Sequence, residues 1–223
     1  MTHPAVRNVV FDFGGVLVRW QPEELLAACS ADVSFRDALR AAVFQHPDWL
    51  EMDRGTLGEE EAARRCAARL SRTSAEVAEI LARVREHLVP LEPTVALVRA
   101  LHAQGVPLYG LSNMSEANFA SLRERYPAVW GLFRGIVVSG EIGLVKPDPR
   151  IFEYLCHAHR LAPHETVFID DHAPNVESAA RLGFRTILFT TPQACAAELE
   201  RAGVPLPRAS EIRSCGKAAG PDT

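Results

Sequence analysis

The sequence has no excess of positive charge, no pair of cysteines at ligand spacing and no long apolar run. Its 24 Lys and Arg stand against 28 Asp and Glu, a formal charge of −4, so both the basic stripe of a nucleic-acid binder and the polybasic patch of a membrane-surface protein are missing. The five cysteines, Cys29, Cys66, Cys156, Cys195 and Cys215, are odd in number, scattered and never arranged as C-x-x-C. That pattern argues against a disulfide framework or a structural zinc site and for reduced, mostly buried thiols. The first apolar stretch, Val9 to Val18, is broken by Asp12 and two glycines, so it is neither a signal-peptide core nor a membrane span. A cytoplasmic protein is expected. No Walker loop, G-x-S-x-G elbow or G-x-G-x-x-G turn occurs, and His157 and His159, two apart in a helical pattern, point away from any common metal.

What is present is ordinary globular material. Hydrophobic residues make up 48% and charged residues 23% of 223 positions, which suits one medium domain carrying a small insertion. Continuous apolar runs at Asn8–Phe13, Pro107–Ser112, Gly135–Ser139, Thr166–Asp170 and Arg185–Thr190 predict strands covered on both faces, as in a parallel sheet. Helical patterns at Glu92–Gln104, Glu116–Arg125, Pro149–Arg160, Pro174–Leu182 and Gln193–Ala202 alternate with them, which predicts a doubly wound α/β core over residues 1–19 and 91–204. Residues 20–90 contain no convincing strand. The amphipathic stretches Glu24–Ser30, Phe35–Phe44, Glu59–Leu70 and Ser74–His87 read as a helical cap, divided by a turn at Asp53-Arg54-Gly55. Residues 205–223, rich in Pro, Gly, Ala and Ser, read as a mobile tail.

In such a sheet, ligands bind beyond the carboxyl ends of the strands. The polar residues expected there are Asp12, followed by Gly14 and Gly15, then Ser112 and Asn113, Lys146, and the adjacent acids Asp170 and Asp171. Each alone has a plain explanation: a turn residue at Asp12, a helix cap at Ser112 or Asn113, a solvated lysine at Lys146. Asp148-Pro149 reads as an N-cap with proline at the first helical position. Two neighbouring acids at a strand end, however, repel unless a cation or proton intervenes. Four independent coincidences at one sheet edge are a poor explanation.

Taken together, these residues resemble the four motifs of the haloacid dehalogenase-like hydrolase superfamily, in order, over about residues 8 to 190. The resemblance implies a Rossmann-like sheet in the order 5-4-1-2-3 with a helical cap inserted after the first motif, matching the stretch at 20–90. It implies a phosphatase acting on a small phosphorylated substrate with Mg²⁺. Asp12 would be the nucleophile, with Ser112 and Lys146 completing the catalytic set. Gly14, Gly15, Ser112, Asn113 and Lys146 would bind phosphate. Asp12, the Gly14 carbonyl, Asp170 and Asp171 would hold the metal, Asp170 either directly or through water. Such a set suits phosphoryl transfer, which needs an in-line nucleophile and neutralised oxygens, and hard oxygen ligands suit Mg²⁺.

One position departs from the usual pattern. The second Asp of the family's first motif, which protonates the leaving group, is replaced by Gly14. The substitution resembles the branch of bacterial α-D-glucose-1-phosphate phosphatases, which also carries an acidic residue before Arg-Gly in the cap, here Asp53-Arg54-Gly55, and a D-D-x-x-x-N motif, here Asp170 to Asn175. His172 and Glu141 are candidates to supply the missing proton. Trp20 and Trp49 could shape the pocket, and Trp130 is assigned to packing. A metal-independent 2-haloacid dehalogenase is disfavoured by the acidic pair at Asp170-Asp171, and a non-catalytic phosphate-binding protein is the other alternative.

Overall fold

A computed structural model describes residues 5–206. Of the expected tail only Pro205 and Leu206 fall within it; His3, expected as a structural or surface residue, and Cys215 lie outside the described residues. Five parallel strands form one sheet: β1 (Asn8–Phe11), β2 (Leu108–Ser112), β3 (Gly135–Val138), β4 (Thr166–Asp170) and β5 (Arg185–Leu188), in the order β3-β2-β1-β4-β5. This is the expected order read from the opposite edge. β1 is central, with Phe11 in register with Gly110 of β2 and Ile169 of β4.

The continuous apolar runs are explained by burial on both faces. Val9 and Phe11 of β1, with Val167 and Ile169 of β4, enter one core cluster, while Val10 and Phe168 enter the other. Strands alternate side chains between faces, so a strand sandwiched by helices has no position to spare for a polar group until it ends. Three strands end sooner than expected, β3 at Val138 because Ser139 already begins a helical turn. β1 stops at Phe11, although the Asp12 N–H still bonds the Ile169 carbonyl (2.8 Å), and β5 stops at Leu188.

The helices run in chain order from α1 (Pro22–Cys29) and α2 (Val33–Leu39), which widens into a π-turn at Arg40–Phe44, to α3 (Pro47–Arg54), α4 (Glu59–Leu70) and α5 (Ser74–His87). These contain no strand and share their own apolar cluster around Leu26, Leu39, Val77 and Leu81. In and around the sheet follow α6 (Glu92–Ala103), α7 (Glu116–Arg125), α8 (Pro127–Trp130), α9 (Ser139–Ile142), α10 (Pro149–His159), α11 (Ala173–Arg181) and α12 (Pro192–Arg201). The expected turn at Asp53-Arg54-Gly55 is the C-terminal end of α3, an eight-residue helix that the periodicity reading missed. Its punctuation was present: Pro47 in the first turn and Gly55 as a left-handed cap at φ 80°,. The predicted helix Phe35–Phe44 is broken by the π-turn, where the Gln45 N–H reaches back to the Arg40 carbonyl.

The chain leaves for the cap helices and returns at one place. Val18 bridges Pro90, the Arg19 N–H bonds the Val89 carbonyl, and the Leu91 N–H bonds the Leu17 carbonyl, the latter two at 2.8 Å. On the far side, α3 rests on the core at α9. The Ser139 Oγ–H donates to the Asp53 carbonyl (2.5 Å), and Ser139 Oγ accepts from the Met114 N–H (2.9 Å).

Candidate active site

The loops after β1, β2, β3 and β4 converge at one edge of the sheet, as parallel topology requires. Lys146 lies between β3 and α10, where Asp148 caps α10 and Pro149 occupies its first position. Its ammonium is buried (3% exposed) yet fully engaged. Nζ lies 2.7 Å from Asp12 Oδ1 and 2.7 Å from Asp170 Oδ2, and it donates to the Leu111 carbonyl at 3.0 Å. Asn113 fixes the Lys146 main chain from both sides, Oδ1 accepting from its N–H (2.7 Å) and Nδ2 donating to its carbonyl (2.9 Å). The helix-cap explanation for Ser112 and Asn113 does not hold, because Ser115 caps α7.

Asp170 is fully buried, and its carboxylate is surrounded by donors: the His172 N–H on Oδ1 (2.8 Å), Asn175 Nδ2 on both oxygens (3.1 and 3.0 Å), and Lys146 on Oδ2. Asp171 is exposed and packs against Gly15, whose φ is 76° and where the Asp171 carboxylate occupies the space a Cβ would take,. Oxygens of Asp12, Asp170 and Asp171 all lie within 4.8 Å of one another. One lysine cannot neutralise three carboxylates, and a set of hard oxygen donors with surplus negative charge fits a divalent cation.

The protonation tendencies follow the same geometry. Burial pushes the Asp12 carboxyl up, with Lys146 pulling it down and Asp170 raising it. Burial would lower the Lys146 ammonium, but Asp12 and Asp170 outweigh it and hold Lys146 above its ordinary value. Asp171, although exposed, is raised, first by partial desolvation of its carboxyl and then by the Asp170 charge.

A cavity of about 170 Å³ opens in front of this cluster, lined by Asp12, Gly14, Asn113 and Lys146 from the core edge and by Trp20, Trp49 and Asp53 above. Trp20 meets Phe44 edge-on at a centroid distance of 5.8 Å and Trp49 lies tilted against it at 5.1 Å, giving the pocket an aromatic roof. Trp130 packs against Phe13 inside the core. Ser112 does not line the cavity; it is buried at the end of β2, and its Oγ has no hydrogen-bond partner. His172 and Glu141 are exposed and line no part of it. Three lining residues escaped the sequence reading, Leu88, Met114 and Asn118. None sits in a motif, and only the folding of the β2–α7 segment and the cap return brings them here. Asn175 was noted only as part of a motif.

A parallel five-stranded sheet with this edge defines a class, and the comparisons agree with it. The profile of haloacid dehalogenase-like hydrolases matches residues 6–183, and the chain belongs to that family as an enzyme of the phosphatase type. It is 28% identical over 195 residues to the sesquiterpene phosphatase astK of Aspergillus oryzae, covering 87% of this chain and 95% of that one. It is 26% identical over 196 residues to the D-ribitol-5-phosphate phosphatase of Bacteroides thetaiotaomicron, covering 81% and 90%. Of some longer relatives the chain spans less than half. Among solved structures, a HAD family enzyme of Bacteroides thetaiotaomicron in complex with magnesium and inorganic phosphate superposes with a TM-score of 0.67 at 22% identity, covering 83% of this chain and 95% of that one.

Proposed function

We propose that the protein is a Mg²⁺-dependent phosphomonoester hydrolase for a small phosphorylated metabolite, working through an aspartyl-phosphate at Asp12. The observation that carries this reading is the shared ammonium of Lys146, which ties the nucleophile Asp12 to Asp170 at the mouth of a phosphate-sized cavity. Asp12 attacks phosphorus, and Lys146 draws charge from the phosphoryl oxygens while restraining the carboxylate. The unpartnered Ser112 hydroxyl, buried at the end of β2 next to the cavity-lining Asn113, would have to be uncovered before it could donate to a phosphoryl oxygen,, and Gly14 lets the backbone come close,. Asp12 and Asp171, with the Gly14 carbonyl, would hold Mg²⁺, which supplies charge neutralisation to the phosphate. The donors around Asp170 favour its acting on the metal through water while it orients Lys146. The cap helices close over the pocket and exclude water, which strengthens every charge interaction inside.

The relative that acts on D-ribitol 5-phosphate supports a sugar- or polyol-phosphate substrate. A second reading of the substrate is favoured by a larger cavity of about 380 Å³, which shares Trp49, Asp53 and Asn118 with the first and is walled by Met52, Leu57, Leu81 and Val84. It would accept a bulkier apolar alcohol, in line with the sesquiterpene phosphatase relative.

The test is phosphate release from sugar 1-phosphates, sugar 6-phosphates, polyol phosphates and an isoprenyl monophosphate, with Mg²⁺, with chelator, and with Asp12→Asn. Release that needs both Mg²⁺ and Asp12 supports the reading and ranks the substrates. Release unaffected by Asp12→Asn would overturn it, and halide release from a chloroacid without metal would replace it by the dehalogenase.

A further inference from the structure

The phosphatase reading leaves one step without an agent, because Gly14 offers no side chain to protonate the departing alcohol. Asp53 is a buried carboxyl (9% exposed) that none of the preceding steps uses. It lies on the wall common to the two cavities. With a phosphoryl group placed against Asp12 and Lys146 in the smaller cavity and the alcohol in the larger one, the bridging oxygen would fall at that boundary. Its backbone is held to the core by Ser139, so the carboxyl is set relative to the sheet edge that carries Asp12.

We infer that Asp53, reaching in from the cap, is the proton donor to the leaving oxygen and takes over the role vacated at Gly14. This inference rests on the phosphatase reading. As the ester P–O bond breaks, the phosphoryl group passes to Asp12 and the Asp53 proton to the alcohol oxygen. The resulting Asp53 carboxylate then takes a proton from the water that attacks the aspartyl-phosphate. Inorganic phosphate leaves, Asp12 is regenerated and Asp53 is protonated again. Burial pushes the Asp53 carboxyl up to about 7, against the pull of the Ser115 amide and the Trp49 indole, so it can both give and take a proton near neutral pH,. The charged groups on the same walls are Asp12 and Lys146 on the phosphate side and Glu59 and Glu116 on the alcohol side. His172 and Glu141, the donors suggested by sequence proximity, border neither cavity.

The experiment compares kcat/KM, which reports the chemistry up to alcohol release, for the best alkyl phosphate of the panel above and for p-nitrophenyl phosphate, whose leaving group departs without a proton. Asp53→Asn and Asp53→Ser are expected to lose roughly 10²–10⁴-fold on the alkyl ester and less than about tenfold on the aryl ester. The wild-type alkyl rate should fall as pH rises past about 7, and that limb should vanish in Asp53→Asn. Equal losses on both esters would make Asp53 a positioning residue and overturn the inference, as would no loss on either. Failure of the wild type to release phosphate from any ester would instead overturn the phosphatase reading, and this inference with it.

Discussion

Gly55 at the end of α3 lies so close to the carbonyl of Gly140 in α9 that a Cβ on Gly55 would collide with that backbone. Gly55 also sits at φ 80°, where only glycine is at ease,. The cap therefore meets the core backbone to backbone, directly beside Asp53. Gly55→Ala should lift this contact at a cost of roughly 1–3 kcal/mol. The expected result is a lower melting temperature and a fall of at least about tenfold in kcat/KM; an unchanged value would mean that cap seating is not needed for turnover.

The three clustered carboxylates predict a metal response. Mg²⁺ at about 100 times its Kd should add roughly 2.7 kcal/mol of stability, visible as a raised melting temperature. Asp171→Ala should abolish both that rise and activity. A Mg²⁺-induced rise that survives in Asp171→Ala would place the ion elsewhere.

Asn113 makes two hydrogen bonds to the Lys146 main chain and none to the carboxylates. Asn113→Ala should cost about 1–3 kcal/mol in denaturant unfolding and lower kcat more than it raises KM, because the ammonium is misplaced rather than removed. Asn113→Asp keeps the acceptor but not the donor and should fall between. If both variants match the wild type in stability and rate, the clamp has no role.

Asp53 predicts a particular dependence of stability on pH. An unperturbed Asp titrates at 3.8 and Asp53 in the fold at about 7, so between those values the folded protein keeps a proton that the unfolded chain has lost. Its contribution is full below about pH 4 and is lost as pH rises through about 7. Asp53→Asn has no such loss. Chemical denaturation at pH 4 and pH 8 should show the difference shifting in favour of the variant by up to about 4 kcal/mol; parallel pH profiles would refute the shifted titration.

The sheet could be read from the chain because β1 to β4 are largely apolar and each ends at or just before a polar residue, and Asp12, Ser112, Asp170 and Asp171 stand at those ends. Lys146 was placed differently, as the polar residue of the segment between β3 and the helix that follows. What the residues around Asp170 do was not available to either reading. The Asn175 and His172 contacts that fill the Asp170 carboxylate arise from how α11 begins, and nothing local distinguishes Asp170 from Asp171 as the buried member of the pair. The environment of Asp53 is hidden for a stronger reason: its burial is created by a helix from the insertion coming to rest on α9, a contact between residues far apart in the chain. Helix α3 itself is short, with mixed polarity, and shows only through Pro47 in its first turn and Gly55 just past its end.

The pairing of Leu17, Val18 and Arg19 with Val89, Pro90 and Leu91 has an evolutionary consequence. Because exit and re-entry are neighbours, the core is closed whatever lies between them. The excursion from Trp20 to Leu88 is topologically a long hairpin loop, and the entropy of closing such a loop grows only slowly with its length. Selection can thus exchange or resize the insertion that walls the pocket while the sheet edge carrying Asp12 and Lys146 stays untouched. A chimera carrying another insertion between these anchors is the natural form of that exchange.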